Sequence, residues 1–251
     1  MIATPLYIGC AGWSLARADR PRFADQGSHL ERYASVFSAV EINSSFYRPH
    51  QRATYQRWSD SVPENFRFAA KLPRTITHDR RLIGALPLLD TFLGEVGALG
   101  EKLGALLVQL PPSLAFDARS AVAFFRAFRR RYDRGLCVEP RHASWFEAPA
   151  ESAMRRYRVA RVAADPALNA AAALPGGDPS LRYTRLHGSP RMYYSAYDQA
   201  YLRATAQRLQ AERVGGAATW CIFDNTAAGH AVPNALELLG MLSRYVQTAP
   251  Q

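Results

Sequence analysis

Three short segments set polar groups two residues apart: Glu41 with Asn43, Glu139 with Arg141, and Arg185 with His187. In an extended chain, residues i and i+2 share a face. Each pair therefore presents its groups in one direction. Lys71, Gln109, Asp165 and the Asp224-Asn225 pair each close a further apolar run. Carboxylates, an ammonium, guanidiniums and an imidazole are the parts of general acid/base catalysis. They are also the parts of buried ion pairs, since an unpaired buried charge is very costly. Both readings stand at this point.

The candidates for proton transfer are Glu41, Lys71, Glu139, Asp165 and His187. Lys71 is one of only two lysines; the other basic residues are arginine. Keeping a lysine at a strand end suits a need for a compact ammonium or a movable pKa, including a Schiff base. The candidates for substrate contact are Trp13, Asn43, Tyr47, Arg74, His78, Gln109, Arg141, Arg185, Tyr194, Asp224 and Asn225. Aromatic rings and arginines in the segments that follow strands suit phosphates attached to rings. Arg185 is expected to be the central anion contact, because its guanidinium offers a planar fork to two oxygens. No cofactor is expected. His78, His187 and the carboxylates invite a divalent metal as the alternative, but Lys71, Arg141 and Arg185 would repel one, and no paired-histidine motif is present.

These groups need a scaffold that brings several strand ends together. Apolar runs of strand length occur at Leu6–Cys10, Ala39–Ile42, Phe66–Ala70, Ala105–Val108, Gly135–Val138, Val159–Ala164, Leu181–Leu186 and Thr219–Phe223. Segments with helical periodicity separate them: His29–Phe37, Ala53–Ser61, Ala85–Ala98, Ser120–Arg131, Ala150–Arg156, Ala200–Glu212 and Val232–Val246. After the sixth run, Pro166–Ser180 is rich in Ala, Pro and Gly, so its helix is short or missing. Strand–helix alternation of this kind predicts an α/β protein: one TIM-type (βα)8 barrel with a parallel closed sheet, spanning 1–251 as a single domain. An open doubly wound sheet would carry a glycine-rich phosphate loop after the first strand, and Gly9-Cys10-Ala11-Gly12 lacks that spacing.

The chain has 251 residues, 48% hydrophobic and 21% charged, with a net charge of +10. Such an excess of base favours acidic partners: a small anionic substrate, phosphate-bearing or nucleotide-like, or nucleic acid itself. Met1–Pro5 does not read as a leader, and no apolar stretch reaches membrane-spanning length, so no membrane partner is expected. Cys10, Cys137 and Cys221 all fall in apolar runs and read as free thiols in a reducing compartment, the cytoplasm.

Several segments together resemble the YecE-like family, also called domain of unknown function 72. They include Gly9-Cys10-Ala11-Gly12-Trp13, Glu41-Ile42-Asn43-Ser44-Ser45-Phe46-Tyr47, Gln109-Leu110-Pro111-Pro112-Ser113, Glu139-Pro140-Arg141-His142, Arg185-Leu186-His187-Gly188 and Phe223-Asp224-Asn225. The resemblance implies a TIM-type barrel without an assigned reaction. Two departures stand out. Relatives often carry Thr-Ser where this chain has Cys10-Ala11, which removes a catalytic hydroxyl there. Relatives often carry Asn where this chain has Asp224, which adds a carboxylate. The chemistry expected is hydrolase- or lyase-type. A nuclease-like nucleic-acid binder and a non-catalytic small-ligand receptor are the rival readings.

Overall fold

The computed structural model describes residues 4–248; the first three residues, where the reading of the leader begins, lie outside the described residues. Strands β1 (Leu6–Cys10), β2 (Ala39–Ile42), β3 (Arg67–Lys71), β4 (Leu103–Gln109) and β5 (Gly135–Glu139) fall on the first five expected runs. The sixth run gives two short strands, β6 (Ala160–Arg161) and β7 (Ala163–Asp165). A small β8 (Gly176–Gly177) follows, then β9 (Leu181–Leu186) and β10 (Ala218–Phe223). Helices α1 (His29–Ala34), α2 (Arg52–Asp60), α3 (Leu86–Val96), α4 (Ala118–Arg129), α5 (Ala148–Arg156), α6 (Gln199–Val214) and α7 (Ala231–Thr248) occupy the expected intervals. Local chemistry fixes several helix starts. Ser28 and Glu31 close a capping box on α1, Asp117 caps α4, and Asp198 caps α6.

The result is a mixed α/β fold, and its strands form two ladders rather than one closed ring. One sheet has the order β1-β10-β9-β7 and the other β2-β3-β4-β5-β6-β8, parallel throughout except for β8. The two breaks have visible causes. Between β1 and β2 the hydroxyl of Tyr33 takes the place of a ladder bond. It accepts from the Cys10 amide at 2.7 Å and donates to the Ala39 carbonyl at 3.0 Å. Gly9 makes that close approach feasible, since a Cβ there would lie 2.0 Å from the Ala39 oxygen. Further along, the strands meet directly: Ala11 pairs with Glu41, and the Gly12 amide donates to the Glu41 carbonyl at 2.9 Å. The second break falls at Val162. Its amide still donates to Val138 of β5, while the three residues after it pair with β9.

Two apolar layers result. One lies between strands and helices, with Phe124, Phe125 and Phe128 of α4 buried there beside Trp145. The other draws Ala39, Ala69, Leu107, Cys137 and Val162 together with Tyr183, Trp220 and Ile222, and so joins the inner faces of both sheets. Its side chains alternate along each strand with those of the outer layer.

Candidate functional site

Strand register decides which polar ends meet. Ile222 lies opposite Arg185, so Asp224 lies beside His187 on the same face. Glu41 lies opposite Ala69, which puts Lys71 on the Glu41 side of β3. Gln109 lies opposite Glu139. Both sheets therefore aim charged groups at one volume above the inner apolar layer.

Arg185 is the hub. Its Nε and Nη2 donate to Glu41 at 3.0 and 2.6 Å, Nη1 donates to Glu139 at 2.6 Å, and Nη2 also donates to Asp224 at 2.8 Å. The side chain has no exposed surface. Its expected role as the central anion contact is thereby corrected: three carboxylates already occupy its fork. Tyr183, two residues earlier on the same face, donates its hydroxyl to Glu41 at 2.9 Å.

His187 is equally buried. Nδ1 lies 3.0 Å from Asp224, while Nε2 lies 2.8 Å from Glu139 and 2.9 Å from Nη2 of Arg141. Nε2 thus has an acceptor and a donor on the same side. It can donate to Glu139 or accept from Arg141, so the ring has partners both with and without a proton on Nε2. Arg141 also pairs with Glu139. Its Nε is buried and has no hydrogen-bond partner among the described residues, yet 18% of the side chain is exposed. Burial alone would raise Glu139, but the charges of Arg185 and Arg141 outweigh it and hold the carboxyl well below the usual range. Asp224 follows the same pattern: burial opposes ionisation, and Arg185 and the His187 hydrogen bond prevail.

Lys71 differs from its neighbours. It is 4% exposed, yet among the described residues no carboxylate lies within 4.0 Å of its Nζ. Its contact is the face of Phe46, 4.0 Å from the ring centroid. Burial, then the charge of Arg185, lowers its pKa to about 8 against the weaker pull of Glu41, Glu139 and Asp224.

The other expected residues divide into two groups. Gln109 stays with the cluster, 3.4 Å from Glu139. Asn43 carries a buried Oδ1 without a hydrogen-bond partner among the described residues. His78 meets Phe46 edge-on at 4.9 Å, and Tyr47 meets the same ring at 5.0 Å while largely exposed. Arg74 is turned to an exposed pair with Asp79 at 3.2 Å. Asp165 does not join the cluster. Ala164, not Asp165, lies opposite Arg185, so Asp165 faces the helix side, where it accepts from Tyr197 at 2.8 Å. Asn225 also faces outward, donating to Ser195 and Asn234. Trp13 packs edge-on against Trp58 between α1 and α2. Tyr194 stacks under Arg191 at the surface, while its neighbour Tyr193 lies edge-on to His187 at 5.7 Å. Tyr183, Tyr193 and Phe46 are the site neighbours that the candidate set lacks. The i+2 spacing from Arg185 marks Tyr183 in the sequence; nothing comparable marks the other two. Among the described residues no group of three His, Cys, Asp or Glu side chains is arranged to hold a metal ion; guanidinium N–H groups take the carboxylate oxygens instead.

A parallel α/β fold carrying a buried carboxylate–guanidinium cluster at its strand ends is the class these features define. The chain belongs to the family described as protein of unknown function DUF72, whose model matches residues 7–251. It is 31% identical to UPF0759 protein YecE of Escherichia coli K12 over 145 residues, which is 56% of this chain and 50% of that protein, so the match spans half of that relative's length. It is 24% identical over 280 residues to UPF0759 protein YunF of Bacillus subtilis, covering 98% of each chain. Among solved structures, a DUF72 family protein from Enterococcus faecalis V583 aligns with a TM-score of 0.78 at 21% identity, over 95% of both chains. One from Thermotoga maritima MSB8 gives 0.78 at 23% identity, over 95% of this chain and 99% of that one. These two share the fold. No helix among the described residues is long and apolar enough to cross a membrane.

Proposed function

We propose that this protein is an enzyme of hydrolase or lyase type, acting on a small anionic substrate at the strand ends, with Lys71 as the group that moves a proton. The observation that carries this reading is the state of Lys71: a buried amine without a carboxylate partner, its pKa lowered to about 8. A structural ion pair would give the opposite shift. A base that is partly neutral near the working pH suits proton abstraction. Arg141, whose buried Nε has no hydrogen-bond partner among the described residues, replaces Arg185 as the anion contact, and its Nη2 lies within hydrogen-bond distance of His187. Arg141 also lines a cavity of about 350 Å³ whose other walls include Phe146, Val162, Ala164 and Met192. The substrate is therefore an anion with an apolar body. Glu41, Glu139 and Asp224 act through Arg185 as positioning residues.

The same reading treats the two sheets as one TIM-type barrel. The shared inner layer and the Glu41–Arg185 pair across the sheets support it. A cytoplasmic location fits three free buried cysteines. Nucleic acid is the second reading, favoured by exposed Arg191 over the Tyr194 ring at 4.0 Å. A salt-dependent gel shift would support it.

The test is turnover of a panel of small carboxylates and phosphomonoesters by wild type, Lys71→Met and Lys71→Arg. Wild-type kcat/KM should rise with pH through about 8, and Lys71→Met should lose on the order of 10²-fold or more. Undiminished turnover by folded Lys71→Met would overturn the proposal.

A further inference from the structure

At the opposite end of the strands lies a second cavity, of about 330 Å³. It opens where strands begin: Arg67 starts β3, Gly135 starts β5, Leu181 starts β9 and Ala218 starts β10. Arg67, Arg129, Arg134 and Arg158 line it, with Asp133 and Asp178. We propose that this cavity is a second binding site, for a phosphate monoester carried on a ring.

Unneutralised charge comes first. Among the described residues only Arg134 of the four has an ion-pair partner, Glu101. Arg129 is held by main-chain oxygens instead: Nε donates to Tyr157 at 2.8 Å, Nη1 to Arg134 at 2.6 Å, and Nη2 to Arg158. Arg67 likewise donates to the carbonyls of Glu64 at 2.6 Å and Phe66 at 2.9 Å. Carbonyls fix a guanidinium without cancelling its charge. Burial and the facing charge of Arg158 disfavour the cationic form of Arg129, so the pair stands in mutual repulsion that a bound anion would relieve. Asp178 is partly spent, accepting from the Ser180 amide at 3.1 Å and hydroxyl at 2.9 Å. Four arginines against Asp133, Asp178 and the Glu101 that pairs with Arg134 leave a net positive charge of one, which favours a phosphate anion.

The wall beside these cations is aromatic. Trp220 stacks on Tyr183 with centroids 5.7 Å apart, and Tyr7 tilts against it at 4.6 Å. Gly104 lets the indole reach the cavity wall, for a Cβ there would come within 2.5 Å of the Trp220 ring. Trp220 and Tyr183 are buried, so half-buried Tyr7 is the ring that can meet a sugar or base bearing the phosphate. Neither Lys71 nor Arg141 takes part, so this site is independent of the proposed chemistry.

The test is calorimetric titration of inorganic phosphate and of ribose 5-phosphate into four proteins: wild type, Arg141→Gln, and Arg141→Gln combined with Arg67→Gln or with Arg158→Asn. Asn suits position 158, whose φ is 53°. Circular dichroism verifies folding. Wild type should bind both, ribose 5-phosphate more tightly. Arg141→Gln removes the anion contact of the strand-end site, so the binding it retains is that of the second cavity, and adding Arg67→Gln or Arg158→Asn should weaken that binding about tenfold or more. Absence of binding to Arg141→Gln, or unchanged affinity when Arg67→Gln and Arg158→Asn are each added to it, would overturn the proposal.

Discussion

Glu41 and Arg185 stand 144 residues apart in sequence and meet through two hydrogen bonds, at 2.6 and 3.0 Å, with neither side chain exposed. Glu41 belongs to the six-stranded sheet and Arg185 to the four-stranded one. The pair is therefore both the centre of the charged cluster and a tie between the sheets.

Removing Arg185 strands three buried carboxylates. Arg185→Ala should destabilise the fold by about 3–5 kcal/mol. Arg185→Lys should recover only part of the loss, since an ammonium cannot reproduce the fork. Urea denaturation of the three proteins measures this, and equal midpoints would show that the cluster contributes nothing net.

Lys71 makes stability depend on alkaline pH. Its folded pKa, about 8, is below its ordinary 10.5, so between these values the unfolded chain binds more protons. Stability therefore rises with pH across this window, by up to about 3 kcal/mol. Buried cysteines and tyrosines titrate in the opposite sense, so the difference from Lys71→Met is the quantity to follow. That variant should be the more stable protein at neutral pH, and its advantage should shrink by pH 10.5. An advantage independent of pH would contradict the depressed pKa.

Glu139 sets the acid limit. Its folded value lies well below the ordinary 4.5, so its contribution is present above 4.5 and is lost as pH falls through the folded value. Wild type should lose stability more steeply below about pH 4 than Glu139→Gln does. Parallel acid-unfolding curves for the two would show that Glu139 is not held in this way.

Cys10, Cys137 and Cys221 are free and buried, and burial pushes each thiol up, Cys221 to about 12. A thiolate reagent should modify the native protein slowly and find three thiols after denaturation without reductant. Fast native modification, or a denatured count below three, would contradict this arrangement.

The charged cluster was legible because Glu41, Glu139, Arg185, His187 and Asp224 end runs whose alternation can be phased. Asp165 shows where that reasoning failed. Its run, Val159–Ala164, is nearly all alanine and valine, and the one clear marker is Arg161, which shares its parity. Arg161 faces outward to Glu151, at 3.4 Å, and Asp165 follows it. Trp13 and Tyr194 lie in connections without a period, so nothing local told which way they point. The second ladder break was equally invisible, because a chain that changes partner at Val162 does so without a change of residue type. Tyr33 reads in sequence as one more apolar residue on the α1 face; that its hydroxyl would stand in for a β1–β2 ladder bond depends on the seam itself.

The pairing of β1 with β10 also sets an order of events at the ribosome. Leu6 lies opposite Thr219 and Cys10 opposite Phe223. At ordinary translation speeds roughly 10–40 seconds separate the emergence of the two strands. Strands β2 to β6 can add to one another as they are made, and β1 can meet β2 through Tyr33 and Ala11, while the other edge of β1 has no ladder until β10 arrives. Throughout that interval a nascent chain carries an apolar segment and, in Glu41, a carboxylate still in water. A chain stalled before residue 218 therefore leaves one edge of Leu6–Cys10 without its ladder.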